Sequence, residues 1–117
     1  MRDLIDRYLA CWNETDSAPR RELIAMTWAD DGTYVDPLLD AHGHDAIDAA
    51  IAATQGQFPG HVFALAGPVD THHDVARFSW GLSRDGDEPL VIGSDVASVD
   101  ADGRVARVVG FLDKVPG

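Results

Sequence analysis

The chain has 117 residues and carries twenty acidic against nine basic side chains, a formal charge of −11 at pH 7. Hydrophobic residues make up 45% and charged residues 25%, so we expect one folded domain over 1–117. The negative charge argues against binding to nucleic acid or to an anionic membrane, because both require a basic surface. No apolar run approaches the ~20 residues of a membrane span, and the charged, amphipathic start does not read as a signal peptide.

The cysteine and histidine content indicates neither a disulfide nor a metal site. Cys11 is the only cysteine, so we expect no internal disulfide and a cytoplasmic location. His72 and His73 are adjacent and point in opposite directions in a strand, and no HExxH or CxxC pattern is present. We expect no metal and no bound cofactor, which leaves His61 and His73 as candidate general acids.

The first half of the sequence has helical periodicity. Apolar residues at i, i+4 and i+7 or i+8 spacing predict an amphipathic helix over 3–14. A second helix, capped by Asp16 or Ser17, has an inward stripe that ends at Trp28. A third helix is predicted over roughly 45–55.

The second half of the sequence has the period of strands. TYVD forms a short strand that Pro37 stops, before the third helix. From His61 onward, alternation predicts a four-strand meander over 61–73, 74–84, 89–100 and 104–115. The fold class is therefore α+β, with three N-terminal helices packed on one face of a curved, mostly antiparallel sheet.

Two predicted strands, 89–100 and 104–115, are apolar on both faces. One face can pack beneath the helices, whereas the other requires a cover of its own. We therefore expect a homodimer formed through the outer face of the sheet.

Three segments of the sequence resemble a known family: DRYLACWNETD, WADDGTYVDP and GSDVASVDADGRVARVVGFLD. They are similar to the SnoaL-like branch of the nuclear transport factor two-like superfamily, over nearly the whole chain. The resemblance implies a cone-shaped α+β barrel, cystatin-like in architecture, around one deep pocket. It implies no single reaction, because the superfamily contains steroid isomerases, polyketide cyclases, epoxide hydrolases and dehydratases.

Among these enzymes, the ketosteroid isomerases match three positions in the right order. The resemblance implies that Asp36 is a catalytic base, and that Tyr8 and a protonated Asp95 donate hydrogen bonds to an oxyanion. The residues themselves leave alternatives open. Asp36 can instead cap the turn at Pro37, and Tyr8 can be a core residue satisfied by a neighbour.

Asp95 lies on an apolar strand face, where a carboxyl group needs either a proton or a partner. It is therefore protonated and faces the pocket, or it pairs with a cation such as Arg77. Arg77 can alternatively anchor a substrate or lie at the dimer interface. The residues expected to line the pocket and bind substrate are Trp12, Trp28, Tyr34, Phe58, Phe63, His73, Arg77 and Trp80.

The leading functional hypothesis is a cofactor-independent enzyme that isomerises a small apolar carbonyl compound by proton transfer. Aldol-type cyclisation of a polyketide would use the same catalytic base and oxyanion donors, because both reactions form an enolate. An epoxide hydrolase would need an Asp–Arg–Asp set, for which Arg77 and Asp113 are candidates, but Ser79 stands where an acid is expected. The remaining alternative is a binding protein that takes a small ligand without catalysis.

Overall fold

The computed structural model describes residues 1–116 and contains three helices and seven strands. The helices are α1 (Arg2–Asn13), α2 (Ser17–Thr27) and α3 (His44–Gln57). The strands are β1 (Trp28–Val35), β2 (Asp40–His42), β3 (Val62–Leu65), β4 (Asp70–His72), β5 (Val75–Ser83), β6 (Val91–Val99) and β7 (Val105–Lys114). The three helices pack on a curved, open sheet, which confirms the predicted α+β class.

The sheet has the strand order β2-β1-β7-β6-β5-β3, and β4 also pairs with β5. All neighbours are antiparallel except β1 and β7, which run parallel. The antiparallel order of the predicted meander is therefore present, and β1 lies between β2 and the last strand, β7.

Two helical bounds agree closely with the prediction, but Trp28 does not belong to α2. The Asp16 side chain caps α2 by accepting a hydrogen bond from the Ala18 amide at 3.4 Å. Trp28 begins β1, which starts five residues before the predicted TYVD strand. The pairing of β1 with β7 shifts register between Trp28 and Thr33. At this bulge Asp30 and Asp31 are exposed to solvent while the strand continues on both sides. This is why the polar stretch before Thr33 resembled a loop in the sequence.

The predicted strand over 61–73 was wrong as a single element. It is divided into β3 and β4, both of which pair with β5. The interruption contains Pro68, which has no amide hydrogen and cannot continue a ladder. The short strand β2 was missed, since three residues carry too little pattern to be recognised.

Two polar connections hold the helices in place over the sheet. The Asn13 side chain donates to the Phe63 carbonyl at 2.9 Å and accepts from the Phe63 amide at 2.8 Å, which fixes the end of α1 to β3. The buried Arg20 side chain on α2 donates through Nε to Asp48 on α3 at 2.6 Å. Because both members of this pair are buried, removal of either would leave an uncompensated charge.

The outer face of the sheet carries exposed apolar side chains. Val96 on β6 is 39% exposed and Phe111 on β7 is 56% exposed. Each lies one position from an inward residue of its strand, so both point away from the helices. Among the described residues, no helix has the length and apolarity that a membrane crossing requires.

Gly93 is required by its cross-strand neighbour Trp80, whose indole ring occupies the space where a Cβ would stand. We predict that Gly93→Ala lowers the free energy of unfolding by about 1–3 kcal/mol, because the indole must move within a packed core. Urea unfolding measures the change. Gly56→Ala is the matched control, since a Cβ there meets open space, and it should be neutral or stabilising. Equal stabilities for the two variants would contradict the account.

Candidate active site

A cavity of about 600 Å³ lies between the helices and the sheet. This volume is within the range of small-molecule binding sites. Its wall comes from α1, α3, five strands and the two segments that follow β1 and β7. The lining residues are Tyr8, Leu9, Trp12, Tyr34, Asp36, Leu38, Leu39, Ala53, Thr54, Gln57, Phe58, Phe63, Trp80, Leu82, Val91, Asp95, Leu112, Val115 and Pro116.

Asp95 is the most deeply buried charged group of the cavity, with 1% of its surface exposed. It faces inward because alternate residues of β6 share one face, and its neighbours there, Gly93 and Ala97, are also buried. The Tyr8 hydroxyl donates to Oδ2 of Asp95 at 2.8 Å. The other oxygen, Oδ1, is buried and has no hydrogen-bond partner.

Burial raises the pKa of Asp95 to about 6, since the charged form loses its hydration. The hydrogen bond from Tyr8 and the proximity of the Trp80 indole N–H lower the pKa, and the nearby charge of Asp36 raises it. Burial also raises the pKa of Tyr8 well above its ordinary value, so its hydroxyl remains a donor. Asp95 therefore exchanges its proton close to neutral pH, which is the property required of a catalytic acid or base.

Asp36 forms a second pair with a tyrosine on the same cavity. The Tyr34 hydroxyl donates to Oδ2 of Asp36 at 2.6 Å, and burial raises the pKa of this hydroxyl. The amides of Leu38 and Leu39 both donate to Oδ1 at 2.8 Å. Three donors suit an ionised carboxylate. The two amide contacts also give Asp36 the turn-capping role that the sequence left open.

The two pairs meet at Gly110 on β7. A Cβ at this position would lie 2.7 Å from Oδ1 of Asp95, 3.3 Å from the Cβ of Asp36 and 3.3 Å from the Tyr34 hydroxyl. The absence of a side chain at Gly110 therefore leaves room for Oδ1 of Asp95 beside Tyr34 and Asp36. The cavity thus holds two acids in different surroundings, one with three donors and one with a single donor.

The structure brings eight of the predicted site residues to the cavity and leaves three elsewhere. Those on the cavity wall are Tyr8, Trp12, Tyr34, Asp36, Phe58, Phe63, Trp80 and Asp95. Trp28 is fully buried behind Tyr8, with ring centroids 5.2 Å apart, and does not reach the cavity. His73 lies exposed in the turn after β4, with φ at 51°.

Arg77 lies on the outer face of the sheet, so its expected place in the pocket and its expected pairing with Asp95 were wrong. It stands opposite Val96 in the β5–β6 ladder, whereas Asp95 stands opposite Phe78. Successive residues of a strand point to opposite faces, so Arg77 and Asp95 are separated by the sheet. Arg77 instead donates to Asp70 at 2.7 Å.

The residues proposed for epoxide hydrolysis are likewise outside the cavity. Asp113 accepts a hydrogen bond from the Ser94 hydroxyl on the outer face, and Arg77 pairs with Asp70. His61 does not line the cavity, and its Nδ1 lies 3.1 Å from the Pro59 carbonyl. Within residues 1–116, no three His, Cys, Asp or Glu side chains gather as metal ligands would.

Sequence reasoning missed the contribution of α3 and of the C-terminal segment to the cavity. Ala53, Thr54 and Gln57 face it from α3, and Val115 and Pro116 from the segment after β7. Gln57 follows Ala53 by four residues and Thr54 by three, a spacing that was a signal that it shares a helix face with both. Leu38 and Val115 line the cavity and are also 77% and 58% exposed, so they form its rim.

Solved structures with the same fold identify the class of the chain. A SnoaL-like family protein from Agrobacterium tumefaciens, to which isomerase activity is ascribed, is 43% identical, with 95% of each chain covered and a TM-score of 0.90. A protein from Kribbella flavida, ascribed to ketosteroid isomerases, is 20% identical with a TM-score of 0.71, covering 99% of this chain and 79% of that one. A ketosteroid isomerase-like fold from Catenulispora acidiphila, in complex with trimethylamine, is 18% identical with a TM-score of 0.73, covering 92% and 83%.

The cavity between helices and curved sheet, together with these matches, defines a protein of the nuclear transport factor two-like fold class. No family model matches the sequence, and no curated protein matches it significantly. The 43% identity over 95% of both chains shows the narrower relationship. The chain belongs to the SnoaL-like family, as its three sequence segments implied.

We predict that Asp95→Asn stabilises the protein at high pH and has less effect at low pH. The folded-state pKa of Asp95, about 6, lies above its ordinary value of 3.8. Folding therefore favours the protonated form, and stability is lost as pH rises between these two values. The difference in unfolding free energy between variant and wild type should grow by about 2 kcal/mol from pH 4 to pH 8.

Urea unfolding at both pH values measures this difference. Asp87→Asn, at an exposed position of the β5–β6 turn, is the control and should give a difference that does not change with pH. A pH-independent difference for Asp95→Asn would show that its carboxyl is not held in an environment that disfavours charge.

Proposed function

We propose that the protein is a cofactor-independent enzyme that moves a proton next to the carbonyl group of a small, largely apolar compound. The observation that carries the proposal is the placement of two carboxyl groups with different surroundings on one cavity. Asp95 is buried with a single donor, whereas Asp36 accepts three hydrogen bonds. Carboxyl pairs in such unequal environments divide into an acid and a base.

In this proposal Asp36 is the base. Its Oδ2 accepts one hydrogen bond, from Tyr34, while Oδ1 accepts two. Oδ2 therefore retains a lone pair that can take a proton from the carbon next to the carbonyl. The C–H bond breaks, its electron pair moves to the carbonyl oxygen, and Asp36 holds the proton.

Protonated Asp95 stabilises the enolate that results. Its Oδ1 has no partner in the protein, so a proton on that oxygen can be donated to the developing oxyanion. Tyr8 holds Oδ2 at 2.8 Å and acts through Asp95, as a positioning residue. Return of the proton from Asp36 to a different carbon completes an isomerisation. Attack of the enolate on a second carbonyl completes a cyclisation.

The experiment follows exchange of hydrogen for deuterium next to the carbonyl in a panel of small cyclic ketones by NMR, so the physiological substrate need not be known. We expect Asp36→Asn to lower the rate of exchange by about 10²- to 10⁴-fold, the usual value of a general base. The wild-type rate should fall as pH rises above about 6, because Asp95 loses its proton.

The control is Asp87→Asn, which should exchange at the wild-type rate. A full rate in Asp36→Asn would remove Asp36 as the base. No exchange with any ketone, despite measurable binding, would favour the second candidate, a binding protein. The observation behind that candidate is that Asp36 also caps the turn through the amides of Leu38 and Leu39.

We further propose that the protein is a cytoplasmic homodimer that pairs through the outer face of the sheet. The exposed side chains of Val96 and Phe111 support this proposal, since an apolar sheet face commonly receives a second copy. The buried free thiol of Cys11 is compatible with a reducing compartment.

Phe111→Lys should convert the dimer to a monomer, because it places a charge in the apolar contact. Light scattering should give twice the 12.6 kDa chain mass for the wild type and the single mass for the variant. Met26→Lys, at a comparably exposed apolar residue on α2, is the control and should remain dimeric. A wild-type monomer would overturn the proposal.

A further inference from the structure

We propose that the cavity also binds organic cations, in particular protonated amines on an apolar frame, with the ammonium group paired with the carboxyl group of Asp95. This inference uses the cavity of the proposed function but not its reaction. It depends on three features of the cavity: the sign of its charge, its unpartnered oxygen and its aromatic wall.

The charge of the cavity wall has one sign. Asp36 and Asp95 are its ionisable carboxyl groups, and no lysine, arginine or histidine within residues 1–116 lines it. The whole chain has a formal charge of −11, so the surrounding field is also negative. An anionic ligand would meet no counter-charge in this cavity, whereas a cation would meet two.

Oδ1 of Asp95 is a buried acceptor without a hydrogen-bond partner among residues 1–116. A buried polar atom without a partner costs free energy, which a ligand that supplies the missing donor would recover. Tyr8 is the one donor to Asp95 within residues 1–116, so an ammonium group at the cavity side of this residue would supply a second donor to the ionised carboxylate. Charge-assisted hydrogen bonds of this kind are stronger than neutral ones.

Aromatic rings form a continuous part of the cavity wall. The Trp12 ring lies 5.0 Å from that of Tyr34 and 5.6 Å from that of Phe63, and Phe63 lies 5.1 Å from Trp80, all as centroid distances. Aromatic rings attract cations through their negative faces, most strongly where water is excluded. A neutral ligand of the same shape gains the packing but not this attraction.

The protonation of Asp95 separates amine ligands from carbonyl ligands. An ammonium group requires the ionised carboxylate, whereas a carbonyl oxygen requires the protonated acid. The titratable groups that face Asp95 are Tyr8 from α1, Tyr34 from β1 and Asp36 after β1. Burial raises the pKa of both tyrosine hydroxyls and raises the pKa of Asp95 to about 6. Amine binding should therefore strengthen with rising pH, and ketone binding should weaken.

Three probes of nearly equal shape test the proposal by isothermal titration calorimetry: N,N-dimethylcyclohexylammonium, acetylcyclohexane and cyclohexanecarboxylate. At pH 8 we expect the ammonium to bind at least tenfold more tightly than the ketone, and the carboxylate to bind least. The affinity of the ammonium should rise about tenfold from pH 5 to pH 8, as Asp95 ionises. An ammonium affinity no greater than that of the ketone at pH 8 would overturn the proposal.

Two variants connect this preference to Asp95. Asp95→Asn should lose the tenfold advantage of the ammonium and keep ketone binding, whereas Asp87→Asn should behave as the wild type. Tyr8→Phe removes a hydrogen bond that lowers the pKa of Asp95, so the midpoint of ammonium binding should move to higher pH. An unchanged preference in Asp95→Asn, with an unmoved midpoint in Tyr8→Phe, would show that Asp95 is not the counter-charge.

The result is separable from the proposed reaction. Tight ammonium binding without exchange in any ketone would leave this inference standing and remove the enzymatic proposal. Hydrogen exchange that depends on Asp36, with no preference for the ammonium probe, would support the enzymatic proposal and remove this inference.

Discussion

The site depends on the hydrogen bond between the Tyr8 hydroxyl and Asp95. It joins α1, at the start of the chain, to β6, 87 residues later, across the layer between helices and sheet. The bond gives a donor to one of the two oxygens of a buried carboxyl group and leaves the other oxygen without a partner among the described residues. A carboxyl group with hydrogen-bond donors on both oxygens would have a purely structural role here. A carboxyl group with no donor would cost too much free energy to bury.

Two glycines on the strands allow the side chains around this hydrogen bond to pack closely. Gly93 lets the Trp80 indole lie against β6, and Gly110 lets Asp95 and Asp36 approach the same space from β6 and the end of β1. Each glycine removes a side chain at an inward position, where an alanine would force a packed neighbour to move. The cavity is therefore shaped as much by missing side chains as by those that line it.

Strand alternation explains both what the sequence predicted and where it failed. It placed Asp95 on the buried face of β6, because parity along a regular strand is retained in the fold. On the neighbouring strand β5, the same alternation puts Arg77 on the outer face of the sheet, opposite Val96. The assignment of Arg77 to the pocket was therefore inconsistent with strand alternation, the rule that located Asp95. Trp28 was misplaced because a bulge in β1 is a tertiary feature that helical periodicity does not reveal. The contributions of α3 and of Val115 depend on how distant segments meet, which local pattern does not encode.

The ionisation of Asp95 near neutral pH is the central claim, since both the proposed reaction and the proposed amine binding depend on it. Carbon-detected NMR of the aspartate side-chain carboxyls, with Asp95→Asn to assign the signal, measures it directly. The account predicts a midpoint near pH 6, raised by burial. A midpoint near the ordinary value of 3.8 would contradict it, because such a carboxyl would be hydrated or paired and could serve neither role.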